Sequence, residues 1–230
     1  MTRIGTILNP YHSPPEALRD VVQAVEDAGV AELWVWEDCF RQSAFATAGA
    51  ALAWTRSLRI GIGIAPLPLR NVAVTAMEIA SVSRMFPGRL LPGVGHGVLP
   101  WMAQVGARVA SPLTLLREYV PALRALLAGD EVGVEGRYVR LDGVRLDWPP
   151  DVVPAVYAAA EGPKTLTAAG EVADGVVLNS WQSPAELRAA VDAIRAGRAA
   201  AGRDGAADVV VYAAASFGPG AQDRVRAAAG

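Results

Sequence analysis

Two groups able to move a proton stand beside glycine-rich strand ends in this 230-residue sequence. Asp38 follows the apolar run Glu32–Trp36, and His96 lies within Gly93-Val94-Gly95-His96-Gly97. A carboxylate or an imidazole at a strand end suits proton transfer or hydrogen bonding to a bound ring. Each has a plainer reading as well, Asp38 as an N-cap or loop acid and His96 as a lone structural histidine. The bare backbone of Gly95 and Gly97 around His96, and of Gly63 before Ile64, lets a flat ligand approach closely. A third feature, Gly162-Pro163-Lys164, pairs a proline at the first helical position with a preceding glycine. Such a start leaves amides pointing outward, where a phosphate is well received and a neighbouring cation helps. Lys164 also reads as a surface residue. Trp36 and Trp101 suit either the walls of an apolar pocket or core packing, and His12 sits after the first strand.

The elements that must position these groups alternate regularly. The stretch Arg59–Gly97 reads as strand, helix (Asn71–Met85), strand, a βαβ unit whose strands end in glycines. Across the chain, strands are expected at Ile4–Leu8, Glu32–Trp36, Leu58–Ile64, Leu90–Gly95, Val152–Ala158, Asp174–Asn179 and Asp208–Phe217. Helices are expected from Pro14 to Gly29 and at Ser43–Thr55, Leu113–Leu127, Pro163–Gly170, Ser183–Ala201 and Ala221–Ala229. Residues 97–112 read as irregular, and Asp130–Asp147 as a hairpin-like excursion. Strands that are continuous apolar runs, each followed by a helix, specify a parallel sheet covered by helices. Leu8-Asn9-Pro10-Tyr11-His12 lacks the Gly-x-Gly-x-x-Gly of a dinucleotide-binding first turn. The fold class is therefore α/β, a TIM (β/α)8-type barrel with its site at the carboxyl ends of the strands. Only seven strands are recognisable, so the barrel reads as one domain over residues 1–230, shortened at its C-terminus.

Composition narrows the function classes. The formal net charge of −2 gives no footprint for nucleic acid or an anionic membrane. No apolar run reaches the ~18 residues of a bilayer span. The N-terminus has no signal-peptide core, and a soluble cytoplasmic protein is expected. The single cysteine, Cys39, excludes an intrachain disulfide and a cysteine-clustered metal site. Of the 21 basic residues only Lys164 is a lysine, which reflects composition bias.

Three stretches carry a resemblance. They are Gly61-Ile62-Gly63-Ile64 leading to Ala73-Val74-Thr75-Ala76; Gly93-Val94-Gly95-His96-Gly97; and Ala158-Ala159-Ala160-Glu161-Gly162-Pro163-Lys164-Thr165-Leu166 continuing to Ala169-Gly170-Glu171-Val172-Ala173-Asp174-Gly175-Val176. From Ile4 to Phe217 the chain resembles the luciferase-like monooxygenase superfamily, in its coenzyme F420-dependent branch, which includes methylenetetrahydromethanopterin reductase. The resemblance implies a TIM barrel holding F420, or alternatively FMN, at the strand ends. It implies a non-proline cis peptide at Gly63-Ile64 behind the ring, with Gly95 and Gly97 on the same platform. It places Gly162, Pro163 and Lys164 at the cofactor's phosphate or tail, with Gly175 and Val176 lining the same region. Asp38 matches an acid that reaches the ring. Two departures stand out: Cys39 replaces the histidine that F420-dependent sugar-phosphate dehydrogenases carry after this acid, and His96 stands where some of them have a glutamate.

The function expected from the resemblance is hydride transfer between F420 and an organic substrate, reducing a C=C or C=N bond or supporting oxygen-dependent monooxygenation. The alternatives are an FMN-dependent monooxygenase served by a separate flavin reductase, and a degenerate non-catalytic barrel. The expected partners are a small-molecule substrate, a flavin or F420 reductase, and a second copy of the chain, because a missing eighth strand exposes two sheet edges.

Overall fold

A computed structural model describes residues 2–179 and 182–229. Its strands stand side by side in the order in which the chain makes them. β1 (Thr6–Ile7) pairs with β2 (Glu32–Val35), and β2 with β3 (Arg59–Ile62), all parallel. The third and fourth wall positions are each interrupted. β3 continues past Gly63-Ile64 as β4 (Ala65–Pro66), and β5 (Leu90–Leu91) continues past Pro92 as β6 (Gly93–Gly95). Below the interruptions β3 pairs with β5; above them β4 pairs with β6. The chain next makes the antiparallel hairpin of β7 (Val132–Glu135) and β8 (Arg140–Val144). It returns to the wall as β9 (Tyr157–Ala159), β10 (Gly175–Leu178) and β11 (Asp208–Val211), with β6, β9, β10 and β11 paired in sequence. A parallel wall that winds in one direction is the barrel arrangement, whereas a doubly wound sheet reverses its order. Among the described residues no backbone pairing joins β11 to β1. Side chains span that gap at the base: Arg3 donates to Asp208 at 2.7 Å and contacts Glu32 at 2.9 Å.

Eight helices accompany the wall among the described residues: α1 (Leu18–Asp27), α2 (Ala44–Trp54), α3 (Val72–Met85), α4 (Leu99–Gln104), α5 (Pro112–Ala128), α6 (Pro163–Val172), α7 (Pro184–Ala200) and α8 (Ala221–Ala229). Their starts are written in the sequence. The side chains of Ser43, Asn71, Ser111 and Ser183 each accept a backbone N–H of the first turn, and Ser183 and Glu186 form a reciprocal capping box. α5 ends at Gly129, whose φ of 88° is the left-handed conformation that only glycine adopts cheaply.

Alternation along each strand splits the core in two. Leu33, Val35, Ile60, Ile62, Val176 and Leu178 belong to the large cluster packed under the helices. Trp34, Leu91, Tyr157 and Val177 form a separate cluster, with Ile7, Val210 and Tyr212 against it, that fills the barrel lumen. Three glycines make room for its rings. A Cβ on Gly61 would enter the indole of Trp34, one on Gly63 the hydroxyl of Tyr212, and one on Gly175 the ring of Tyr157. Trp34 and Tyr157 meet edge to face, with centroids 5.7 Å apart.

Several expected boundaries move. The fifth wall strand is Tyr157–Ala159 rather than Val152–Ala158: Pro154 brings no N–H to the ladder, and Val152 and Val153 are exposed. The first and last wall strands are shorter than expected, Thr6–Ile7 and Asp208–Val211. Ile4 and Phe217, expected inside them, lie exposed. The segment read as irregular after Gly97 contains α4. No helix among the described residues is long and apolar enough to cross a membrane.

Candidate active site

At the carboxyl ends of the wall strands a cleft of about 500 Å³ opens. β2 leads to Trp36, Glu37 and Asp38; the β3–β4 interruption presents Gly63 and Ile64; β6 leads to His96, Gly97 and Val98. From the other side come Ala159 of β9 and Ala160, Glu161 and Gly162 after it, Thr165 of α6, Val177 and Leu178 of β10 and Asn179 after it, and Tyr212 just past β11.

The floor is the interruption itself. The Gly63-Ile64 peptide is cis, as the resemblance implies, and Cys39-Phe40 is also cis. The bulged backbone stays hydrogen-bonded on both sides: Gly63 N–H donates to Val35 O at 2.7 Å, and Glu37 N–H donates to Ile64 O at 3.0 Å. Tyr212 donates to the carbonyl of Gly63 at 3.3 Å. Gly97, at φ 68°, approaches Pro66 and Met102 so closely that a Cβ would lie 2.9 Å from Pro66.

The polar groups differ in how they are held. Asp38 accepts the indole N–H of Trp36 at 2.9 Å, which fixes the carboxylate at the cleft. Glu37 turns away into a fork of Arg70 at 2.6 and 2.9 Å and also accepts the N–H of Ala44 at the start of α2. Asn179 donates to Glu161 at 2.5 Å on the opposite rim. Nδ1 of His96 is buried with no hydrogen-bond partner. Burial pushes the His96 pKa below its ordinary 6.5, so the imidazole is neutral near neutral pH. Burial, then the charges of Glu37 and Asp38, push the Cys39 thiol up and keep it protonated.

Of the residues singled out in the sequence, Asp38, Gly63, Ile64, His96, Gly97 and Gly162 come together in the lining, and Trp36 forms a wall. Gly95 lies outside the lining, where a Cβ would press on Ile64 and Ala159. Pro163 and Lys164 occupy the exposed first turn of α6, next to the lining but outside it. Gly175 and Val176 are at the wrong end of their strand. Gly175 opens β10, opposite Tyr157 and Asp208, and Val176 is fully buried in the helix-facing core. Their successors Val177, Leu178 and Asn179 reach the cleft instead. His12 and Trp101 lie outside the lining. Sequence reading missed Glu37, Thr165, Asn179 and Tyr212. The last two follow the apolar runs of their strands directly, and that position is the signal that could have found them.

The residues present fit a flat ring. Glycine at 63 and 97 leaves room for one, Trp36 and Ile64 provide apolar surface, and the unpartnered nitrogen of His96 supplies a polar contact that the protein itself leaves unmet.

Fold and cleft together define a parallel barrel with an open cleft at the carboxyl ends of its strands. Residues 1–229 match the family described as luciferase-like monooxygenase, and the chain belongs to that family. A 5,10-methylenetetrahydromethanopterin reductase of Methanolobus tindarius is 33% identical over 193 residues, covering 84% of this chain and 59% of the relative. The chain thus spans about three-fifths of the length of that curated relative. The solved coenzyme F420-dependent tetrahydromethanopterin reductase of Methanopyrus kandleri superposes with a TM-score of 0.80 at 25% identity, over 94% of this chain and 66% of that one. An F420-dependent secondary alcohol dehydrogenase, solved with an F420-acetone adduct, gives a TM-score of 0.79 at 26% identity, over 91% and 68%.

Proposed function

We propose that this chain builds the ring site of an F420-dependent oxidoreductase that reduces a C=C or C=N bond of a small organic substrate. The observation that carries the reading is the cleft: Gly63, Ile64, His96 and Asp38 line one pocket at the mouth of a barrel of this family. The names of the two solved relatives favour F420 over FMN.

When bound, F420 supplies or accepts the hydride. The chain's residues do the remainder. Gly63 and Ile64 support one face of the ring, and Trp36 excludes water beside it. Gly162, at the start of α6, stands where the tail would leave, with Lys164 exposed in the same first turn. Hydride delivery to carbon leaves the neighbouring atom in need of a proton. The His96 imidazolium would give that atom its proton from Nδ1, returning to the neutral form and being reprotonated from solvent; burial makes the imidazolium the rarer but stronger acid. Asp38, held by Trp36, orients the ring or substrate. A separate reductase would regenerate the reduced ring, and the edges of β1 and β11 that carry no backbone pairing among the described residues suit a homodimer.

Titration of the purified chain with F420 and with FMN, followed by absorbance, tests the reading. Saturable F420 binding is expected, and saturation by FMN alone transfers the site to a flavin. Binding of neither to folded protein overturns it. If His96→Ala and Asp38→Asn both leave turnover unchanged with F420 bound, the proton-handling role of His96 and the orienting role of Asp38 are wrong.

A further inference from the structure

Glu37 lies between two cleft residues, Trp36 and Asp38, yet its carboxylate is committed to the protein. It accepts from both terminal guanidinium nitrogens of Arg70 at 2.6 and 2.9 Å and from the N–H of Ala44 at 2.9 Å. Its own N–H donates to Ile64 O, immediately after the cis bond. One residue therefore ties together the end of β2, the bulge of the ring floor and the start of α2.

Arg70 is in turn held by three helices. Its Nε lies 3.2 Å from Glu78 of α3, an ion contact without hydrogen-bond alignment, since Glu78 Oε2 has no hydrogen-bond partner. Its guanidinium sits 5.2 Å over the ring of Phe45 in α2. Its carbonyl accepts the hydroxyl of Tyr119 from α5, which also pairs with Thr75 of α3 at 2.6 Å. The Arg70 and Glu37 side chains are 17% and 9% exposed, so this fork is largely out of water. A planar guanidinium gripping a carboxylate bidentately fixes distance and angle together, which a lysine does not.

We propose that Arg70 is a positioning residue for the ring site: acting through Glu37, it sets where Asp38 stands relative to the Gly63-Ile64 floor. The functional part of this inference rests on the ring-site reading above; the geometric part does not. A fork this buried would be expected to cost stability when one partner alone is removed, because the other charge is left behind. Conservative and paired replacements separate that cost from positioning.

The test uses three proteins, the wild type, Arg70→Lys and the double variant Glu37→Gln/Arg70→Gln, with three readouts. Thermal unfolding reports the fold, NMR amide exchange reports the Glu37 and Ala44 N–H groups, and absorbance titration reports F420 affinity. In both variants the two amides are expected to exchange faster while those of the β2–β3 ladder keep their protection. F420 affinity is expected to fall roughly tenfold to a hundredfold, the scale of a misplaced site. The double variant leaves no lone charge in the fork, and Glu78, which loses its contact with Arg70, is 32% exposed and keeps access to water; it should unfold near the wild-type temperature and still bind F420 poorly. Wild-type amide protection in Arg70→Lys overturns the proposal, as does recovery of both stability and F420 affinity in the double variant, which would reduce the fork to charge balance. A wild type that binds no F420 sinks the ring-site reading alone, and the amide exchange then decides the positioning claim by itself.

Discussion

Tyr212 and Gly63, 149 residues apart, meet across the mouth of the barrel, where the tyrosine hydroxyl donates to the glycine carbonyl at 3.3 Å. The contact joins the last wall strand to the third, beneath the cleft. Its counterpart at the base is Arg3, which links Asp208 of β11 to Glu32 of β2. Two side-chain struts thus brace a wall whose first and last strands share no backbone pairing among the described residues.

The upper strut is testable by coupling. Tyr212→Phe removes one hydrogen bond and is expected to destabilise by about 0.5–1.5 kcal/mol. Gly63→Ala places a methyl group against the Tyr212 hydroxyl and should be worse. Part of its cost should disappear in the Tyr212→Phe background. Urea unfolding of the two single variants and the double variant measures this, and strictly additive losses would mean that the hydroxyl is not the obstacle.

Gly175 and Gly162 separate fold from site. Gly175→Ala should cost roughly 1–3 kcal/mol by overpacking against Tyr157, while the folded fraction keeps its affinity for F420. At Gly162 nothing stands within reach of a Cβ and φ is −77°, so Gly162→Ala should leave unfolding unchanged. Thermal unfolding beside F420 titration checks both, and an affinity loss confined to Gly175→Ala would return that residue to the site.

His96 makes stability pH-dependent. The unfolded imidazole protonates near 6.5, and the folded one, buried, protonates at lower pH. Between those values the unfolded chain binds more protons, so stability falls as pH drops below 6.5 and levels off below the folded pKa. Comparing urea midpoints above and below 6.5 should show the drop in wild type, and a smaller one in His96→Gln. Equal drops would place the titration elsewhere.

Glu26 acts in a lower window. Its carboxylate accepts the N–H groups of Ser57, Leu58 and Arg56 and the Ser57 hydroxyl, pinning the entry to β3 against α1. These bonds, that of the Ser57 amide foremost, outweigh desolvation and lower its pKa from 4.5 to about 2. A depressed carboxylate pKa contributes stability that is complete above 4.5 and lost as pH falls towards 2. Acid unfolding of Glu26→Gln should be shallower than wild type through that interval. An identical slope would assign the acid sensitivity to other carboxylates.

What the sequence determined by itself was whatever is local in cause. Capping serines, a proline at a first helical position and a glycine past a helix end act within one turn, so α2, α3, α5, α6 and α7 were legible within a few residues. Continuous apolar runs made the strands parallel and covered, and their carboxyl ends located Asp38, His96 and Gly63. The tertiary structure decided what depends on residues far apart. Tyr212 is an ordinary tyrosine until β11 closes over the lumen and brings it to Gly63. Glu37 and Arg70, 33 residues apart, become one fork only when β2 and the segment after β4 stand side by side. Gly175, which the resemblance sets beside the cofactor, makes room for Tyr157 at the start of β10, while Gly63 lies at the cleft beyond the end of β3. The end of the barrel that each occupies is fixed by the register of the whole wall, which no single stretch of sequence encodes.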